Sequence, residues 1–317
     1  MSMAILFFST IFMICFIMNG SAAIPETAEA LRSFLFVVLP SIFPLCALSD
    51  WMVKTDAFAR PGQYCTPMMQ PLFRLSGICI LPFLVGLVGS YPSSAKTTAT
   101  LYENKQISLD EAIVLTTCTN HAGPMFVISV IGLGFLGSPL LGFIIWFCQI
   151  LAGLVTGVIF SRLIIKKRKS LPKTLIAPVH SVKTSLQLLS TSIAEAAYTM
   201  VPVGGTILFF TALCASMEFI QVPWMHTLSG IARMLLEMTA GSQIIHTLTG
   251  PSLPNSLLTL FQCMLYAGVV SWGGVSVHLQ IVYILSRHGI PCKHYLLSKM
   301  LQTVLAMALT GLIVFII

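Results

Sequence analysis

The chain has 317 residues, of which 56% are hydrophobic and only 9% charged, whereas a soluble domain carries roughly 25% charged residues. That balance excludes a water-soluble globule. The net charge of +7 would suit a nucleic-acid partner if it were spread over a surface, but it is concentrated in one short stretch, and no nucleic acid is expected.

Apolar runs recur from end to end: Ala4 to Met18, Phe34 to Leu48, Ile78 to Val88, Phe126 to Phe135, Leu140 to Ile165, Val201 to Met217, Leu257 to Val270 and Met300 to Ile317. Several approach the ~20 residues that a helix needs to cross about 30 Å of hydrocarbon. A spanning segment must satisfy its backbone internally, as helix or closed barrel, and these runs lack the alternation of barrel strands. The fold class is therefore an all-α polytopic membrane protein embedded in a lipid bilayer. Ser21-Ala22-Ala23 resembles a leader cleavage site, yet no Lys or Arg precedes Arg32, so an uncleaved transmembrane helix is expected over 1–30.

The next region, 31–165, begins with a Pro-rich stretch from Asp56 to Arg74, expected as a loop or short surface helix. Gly89-Ser90-Tyr91-Pro92 then breaks an apolar run, and Asn120-His121-Ala122-Gly123-Pro124 breaks a second. Between them, Ser93 to Ala112 is too polar for lipid and reads as an interfacial or cavity-lining helix. Ser108-Leu109-Asp110-Glu111 forms a capping box, so a helix should start there. Leu136-Gly137-Ser138-Pro139 turns the chain, and Gly153 with Gly157 permits a close helix contact, a weak pointer to a homo-oligomer.

Arg162, Lys166, Lys167, Arg168, Lys169, Lys173 and Lys183 follow with no acidic residue among them. Directly after a spanning run, such a cluster reads as a cytoplasmic topogenic loop, placed here over 166–185. The last region, 186–317, repeats the pattern of the first. Glu237-Met238-Thr239-Ala240-Gly241-Ser242 takes the place of the first break, Ser271-Trp272-Gly273-Gly274 the second, and His288-Gly289-Ile290-Pro291 the turn. Gly89 to Gly123 is 34 positions and Gly241 to Gly274 is 33; Gly123 to Pro139 is 16 and Gly274 to Pro291 is 17. Interrupted hydrophobic segments at matching places in two halves point to a transporter's binding site. The competing account is ordinary helix kinking at Gly and Pro.

Ionisable residues within apolar runs are costly and mark function or a paired contact. Lys96, His121, Glu195, Glu218, Arg233, Glu237, His246 and His278 are the candidates. Arg233 and Glu237, four apart, can form an ion pair; Asp50 and Glu218 read as helix-end residues near water. His121 and His278 either bind solute or proton, or join helices by a hydrogen bond. For an anionic solute, helices restarting at the breaks would supply N–H groups and a positive dipole end, with Lys96 adding a full charge. Ser90, Ser93, Ser94, Asn120, Thr239, Ser242, Ser271, Ser276 and Gln280 would add hydrogen bonds. Tyr91, Pro92, Gly123, Pro124, Gly241, Gly273 and Gly274 would shape the breaks. No phosphate loop, H-E-x-x-H or G-x-S-x-G is present, so no enzyme and no cofactor is expected. The nine cysteines form no C-x-x-C pair, and neither a metal nor a disulfide framework is expected.

Gly89-Ser90-Tyr91-Pro92-Ser93-Ser94-Ala95-Lys96, Asn120-His121-Ala122-Gly123-Pro124, Leu136-Gly137-Ser138-Pro139, Glu237-Met238-Thr239-Ala240-Gly241 and Ser271 to Gln280 together resemble the sporulation integral membrane proteins of the YlbJ (SpoVV) type, which carry a nucleoside-recognition or Gate domain. The resemblance runs from Leu31 to Ile313. It implies a fold similar to concentrative nucleoside transporters, with two inverted repeats and re-entrant, discontinuous helices. It also implies transport of dipicolinic acid across the outer forespore membrane. The alternatives are a non-transporting sporulation scaffold or gating protein, and a nucleoside-type transporter.

Overall fold

The computed structural model describes residues 2–166, 184–216, 223–250 and 257–317, and these are helical with no strand. The basic cluster from Lys167 to Lys183 and Glu218 lie outside the described residues.

Two helices, α1 (Ser2–Met18) and α2 (Gly20–Ser33), stand where one helix over 1–30 was expected. The segments Ile5–Met18 and Ala23–Phe36 cross at 98°. Asn19 makes the corner, its amide nitrogen donating to the Ala215 carbonyl at 2.9 Å, so the bend is fixed by a contact nearly two hundred residues away in sequence. α2 runs through a wide π-helical turn, Phe34–Val38, into α3 (Leu39–Lys54). The Pro-rich stretch forms two short helices, α4 (Ala59–Tyr64) and α5 (Thr66–Phe73). They are partly buried, because Ala59, Gly62, Met69 and Phe73 turn into the core.

The remaining helices are α6 (Ile80–Val88), α7 (Tyr91–Glu103), α8 (Leu109–Cys118), a π-helix Met125–Phe135 and α9 (Pro139–Ile164). Then come α10 (Ser185–Ser216), α11 (Pro223–Leu236), α12 (Met238–Thr249), α13 (Leu257–Trp272), α14 (Gly274–Arg287) and α15 (Lys293–Ile316). The order from α6 to α9 recurs from α11 to α15: short helix, break, short helix, short helix, break, short helix, turn, long helix. The breaks fall at Gly89-Ser90, at 119–124, at Glu237 and at Gly273. Gly241 lies inside α12, where an added Cβ would stand 2.7 Å from Met234 Cα; it serves the packing of α12 on α11.

Among the described residues four helical stretches, α9, α10, α13 with α14, and α15, are long and apolar enough to cross a membrane, and up to six if each of two bent pairs counts as one span. The main core gathers the elements from α5 to α9 and from α12 to α15. A second, smaller core of Phe34, Ile42, Cys46, Ala47, Ala196, Met200 and Val203 ties α2 and α3 to α10.

The polar helix α7 is enclosed by protein. Every residue from Tyr91 to Leu101 is buried, which its Ser, Thr and Ala side chains allow because small residues let helices approach closely. The capping box at α8 forms as expected: Ser108 Oγ accepts from the Glu111 amide at 3.4 Å, and Glu111 Oε2 accepts from the Ser108 amide at 2.8 Å. Gly153 and Gly157 are used within the chain, where added Cβ atoms would strike the His121 ring and Cys118.

Candidate functional site

Each break is built by local chemistry. At the first, Ser90 and Ser93 cap one another, the Ser90 amide donating to Ser93 Oγ at 3.0 Å, and Pro92 opens α7 in the fixed φ a first turn favours. At the third, Glu237 is the N-cap of α12 and its carboxylate accepts from the Ala240 amide at 2.7 Å. At the fourth, Gly273 and Gly274 take φ of +82° and +81°, a left-handed backbone that glycine adopts freely. The breaks also touch: an added Cβ on Gly123 would meet the Gly89 carbonyl oxygen at 2.6 Å, and one on Gly274 the Leu236 carbonyl oxygen at 2.8 Å.

Around these contacts lies a cavity of about 300 Å³, at the lower end of the range for small-ligand pockets. Gly89, Ser90, Tyr91 and Pro92 line it from the first break, and Gly123, Pro124, Met125 and Phe126 from the second. Glu237, Met238, Thr239, Ala240 and Gln243 line it from the third; Ser276, Val277 and Gln280 come from α14 beyond the fourth. The opposite wall belongs to α2, the wide turn, α3 and α10, with Glu26, Glu29, Ser33 and Thr211 among its polar groups. So α7, the π-helix, α12 and α14 all begin at this cavity, and helix N-termini carry partial positive charge.

Two of the three carboxylates on the wall have partners. Glu237 sits on the α12 amides, and Glu26 lies 3.9 Å from Arg233. Arg233 and Glu237 do not form the expected pair; Arg233 donates to the Cys214 carbonyl at 3.3 and 2.9 Å instead.

The other sequence-derived candidates stand behind or away from the wall. Lys96 does not line the cavity. Its ammonium is 3.1 Å from Glu195 and 4.0 Å from Asp50, and Lys54 lies 2.9 and 2.7 Å from the same two carboxylates. This four-charge network joins α3, α7 and α10, and Asp50 is buried in it rather than near water. Gly241 and Ser242 are in α12, Ser242 donating to the Met238 carbonyl at 2.8 Å. His278 bonds Tyr295 at 2.9 Å and meets Trp272 edge-on. His246 stacks on Phe135.

Asn120, His121 and Ser271 belong to a buried polar cluster beneath Tyr91. Its centre is Lys299, fully buried on α15. The ammonium donates to the carbonyls of Asn120 and Ser271, the latter at 3.4 Å, and to Gln302 Oε1 at 2.9 Å; it lies 5.1 Å from the centre of the Tyr91 ring. Gln302 bonds His121 Nδ1 at 3.1 Å, and Tyr91 Oη donates to the Val270 carbonyl. Thus His121 makes the helix-to-helix contact that was one of its two readings. Sequence reasoning missed Lys299. The signal available was the helical stripe Tyr295, Ser298, Lys299 and Gln302, polar groups three and four apart that all turn inward.

Residues 35–139 match the Gate family, described as nucleoside recognition. That stretch, about a third of the chain, is similar to the Gate family. It holds the first two breaks, including the Gly89–Gly123 contact. Over 322 aligned residues, 92% of this chain and 77% of the relative, the protein is 24% identical to the sporulation integral membrane protein YlbJ of Bacillus subtilis (strain 168). No solved structure matches the chain. The resemblance read from the break motifs is therefore supported by whole-chain similarity.

Proposed function

We propose that the chain is a secondary transporter of a small anionic solute, built from two inverted repeats over 31–165 and 186–317, and that it acts in sporulation. Dipicolinate is the candidate solute and the outer forespore membrane the candidate location. The observation that carries this reading is the convergence of all four interrupted segments on one cavity. Broken backbone at membrane depth persists where protein or a wet cavity satisfies it, and half-helix N-termini aimed at one point favour a negative guest. With Glu26 and Glu237 engaged, Glu29 is the one wall carboxylate without an ion pair or hydrogen bond among the described residues, and the amide ends of α7, the π-helix and α14 face the solute across from it. Lys96, neutralised by Glu195 and Asp50, is not needed as its partner. Similarity to a relative named for sporulation supports the setting.

A second reading, a nucleoside-type solute, is favoured by the neutral donors and acceptors Gln243, Ser276 and Gln280 on the wall and by the description of the matching family. The protein is purified into liposomes preloaded with unlabelled dipicolinate, and entry of labelled dipicolinate is followed, with uridine as competitor. Exchange above empty liposomes, not inhibited by uridine, is expected. Inhibition by uridine would transfer the site to the second reading, and no dipicolinate exchange would count against the first reading and leave the nucleoside and scaffold readings.

A further inference from the structure

Lys299 is a buried cation in a place where cations are costly. Its side chain is fully buried, and among the described residues no carboxylate forms an ion pair with it. A buried ammonium without an anion is expensive. What holds this one is a set of dipoles. Asn120 lies just past the end of α8 and Ser271 in the last turn of α13, so the ammonium sits between the carbonyl ends of two half-helices, which carry partial negative charge. These are corresponding elements of the two halves, and each leads within a few residues to the cavity, at Gly123 and at Ser276. Half-helix carbonyl ends of this kind are where transporters hold a coupling cation.

We propose that Lys299 is this transporter's built-in coupling cation, binding one proton at Nζ from one side of the membrane and releasing it to the other during each cycle. The step forms and breaks a single N–H bond, with water as the proton's source and acceptor. Protonated, Nζ bridges the breaks at Asn120 and Ser271; neutral, it keeps two N–H donors but loses the charge that strengthens both contacts, and the second and fourth breaks separate more easily. The titratable groups around it are Tyr91 of α7, Cys118 of α8, His121 past α8, His278 of α14 and Tyr295 on its own helix. On the packed helices, Cys148 of α9 is turned to Thr310, and Cys263 and Tyr266 lie on α13, the latter against Phe135. Thiols, phenols and imidazoles are ordinarily neutral or positive near pH 7, so none offsets the ammonium.

The inference rests on the transport reading, and the two are separable. In sodium-free liposomes, wild type is expected to accumulate labelled dipicolinate against its gradient when an inward proton gradient is imposed. Lys299→Met is expected to keep dipicolinate exchange while losing about tenfold or more of that accumulation, within the range of coupling between two sites. Wild-type exchange with accumulation indifferent to the proton gradient, or driven only by sodium, would overturn the inference even if the variant failed to fold. Proton-driven accumulation retained by Lys299→Met would do so as well. Absence of exchange in wild type would overturn the transport reading and this inference together.

Discussion

Lys96 and Lys299 are both buried lysines near the interrupted helices, and their surroundings differ in kind. Lys96 is held by carboxylates in a network that reaches the surface through Glu195, whose side chain is 43% exposed. Lys299 donates only to carbonyl and amide oxygens among the described residues and has no exposure. A lysine among opposite charges behaves as a fixed brace, because its charge is balanced in every state. A lysine among helix ends has a charge that depends on where those ends are, so geometry and protonation become one variable. The same residue type thus supports structure on one side of the cavity and, on our account, energy coupling beneath it.

The largest test of this contrast is at the breaks themselves. Gly123→Val should push the second break off the Gly89 carbonyl and reduce dipicolinate exchange by about a hundredfold, the scale expected when binding groups move by about 1 Å. Retention of exchange by a folded variant would mean that the break contact does not shape the site. Next is Lys96→Met, which removes one cation from the brace while Lys54 still serves Asp50. We expect destabilisation on the order of 1–2 kcal/mol, reduced by the exposure of Glu195, read as a lower thermal midpoint. Exchange at equal protein level should be unchanged, and its loss would place Lys96 among the solute's partners after all.

Smaller effects sharpen the boundary of the polar cluster. Tyr91→Phe keeps the ring over Lys299 and removes the hydroxyl bond to the Val270 carbonyl, so a loss of roughly 1 kcal/mol is expected. Ser108→Ala, at a cap remote from the cavity, should cost about 0.5–1 kcal/mol and leave exchange unaltered. Thermal unfolding in detergent measures both, and a larger effect from Ser108→Ala than from Tyr91→Phe would contradict the ranking.

The breaks were legible because Gly and Pro interrupt helices through local chemistry that operates whatever surrounds them, and the α8 cap was legible because Ser108 and Glu111 need only one another. Ten of the nineteen residues singled out beforehand do line the cavity, all of them at or just beyond a break. The residues that went elsewhere were placed by distant partners. Lys96 was drawn to Asp50 and Glu195, Asn19 bent the first helix towards Ala215, and Arg233 turned to Cys214 and Glu26. Lys299 escaped notice for the opposite reason. It lies close to Lys293 and His294 at the start of α15 and so reads as one more polar residue at a helix end, until α8 and α13 are folded onto it.

The central claim is that four interrupted helices enclose one solute. Ser90→Cys, Thr239→Cys and Gln280→Cys place a thiol at the first, third and fourth breaks, and their reaction with a small water-soluble thiol reagent can be timed with and without dipicolinate. Slowing at all three positions by the same dipicolinate concentration is the predicted result. Thiols that react at rates indifferent to dipicolinate, in protein that still exchanges it, would contradict the account.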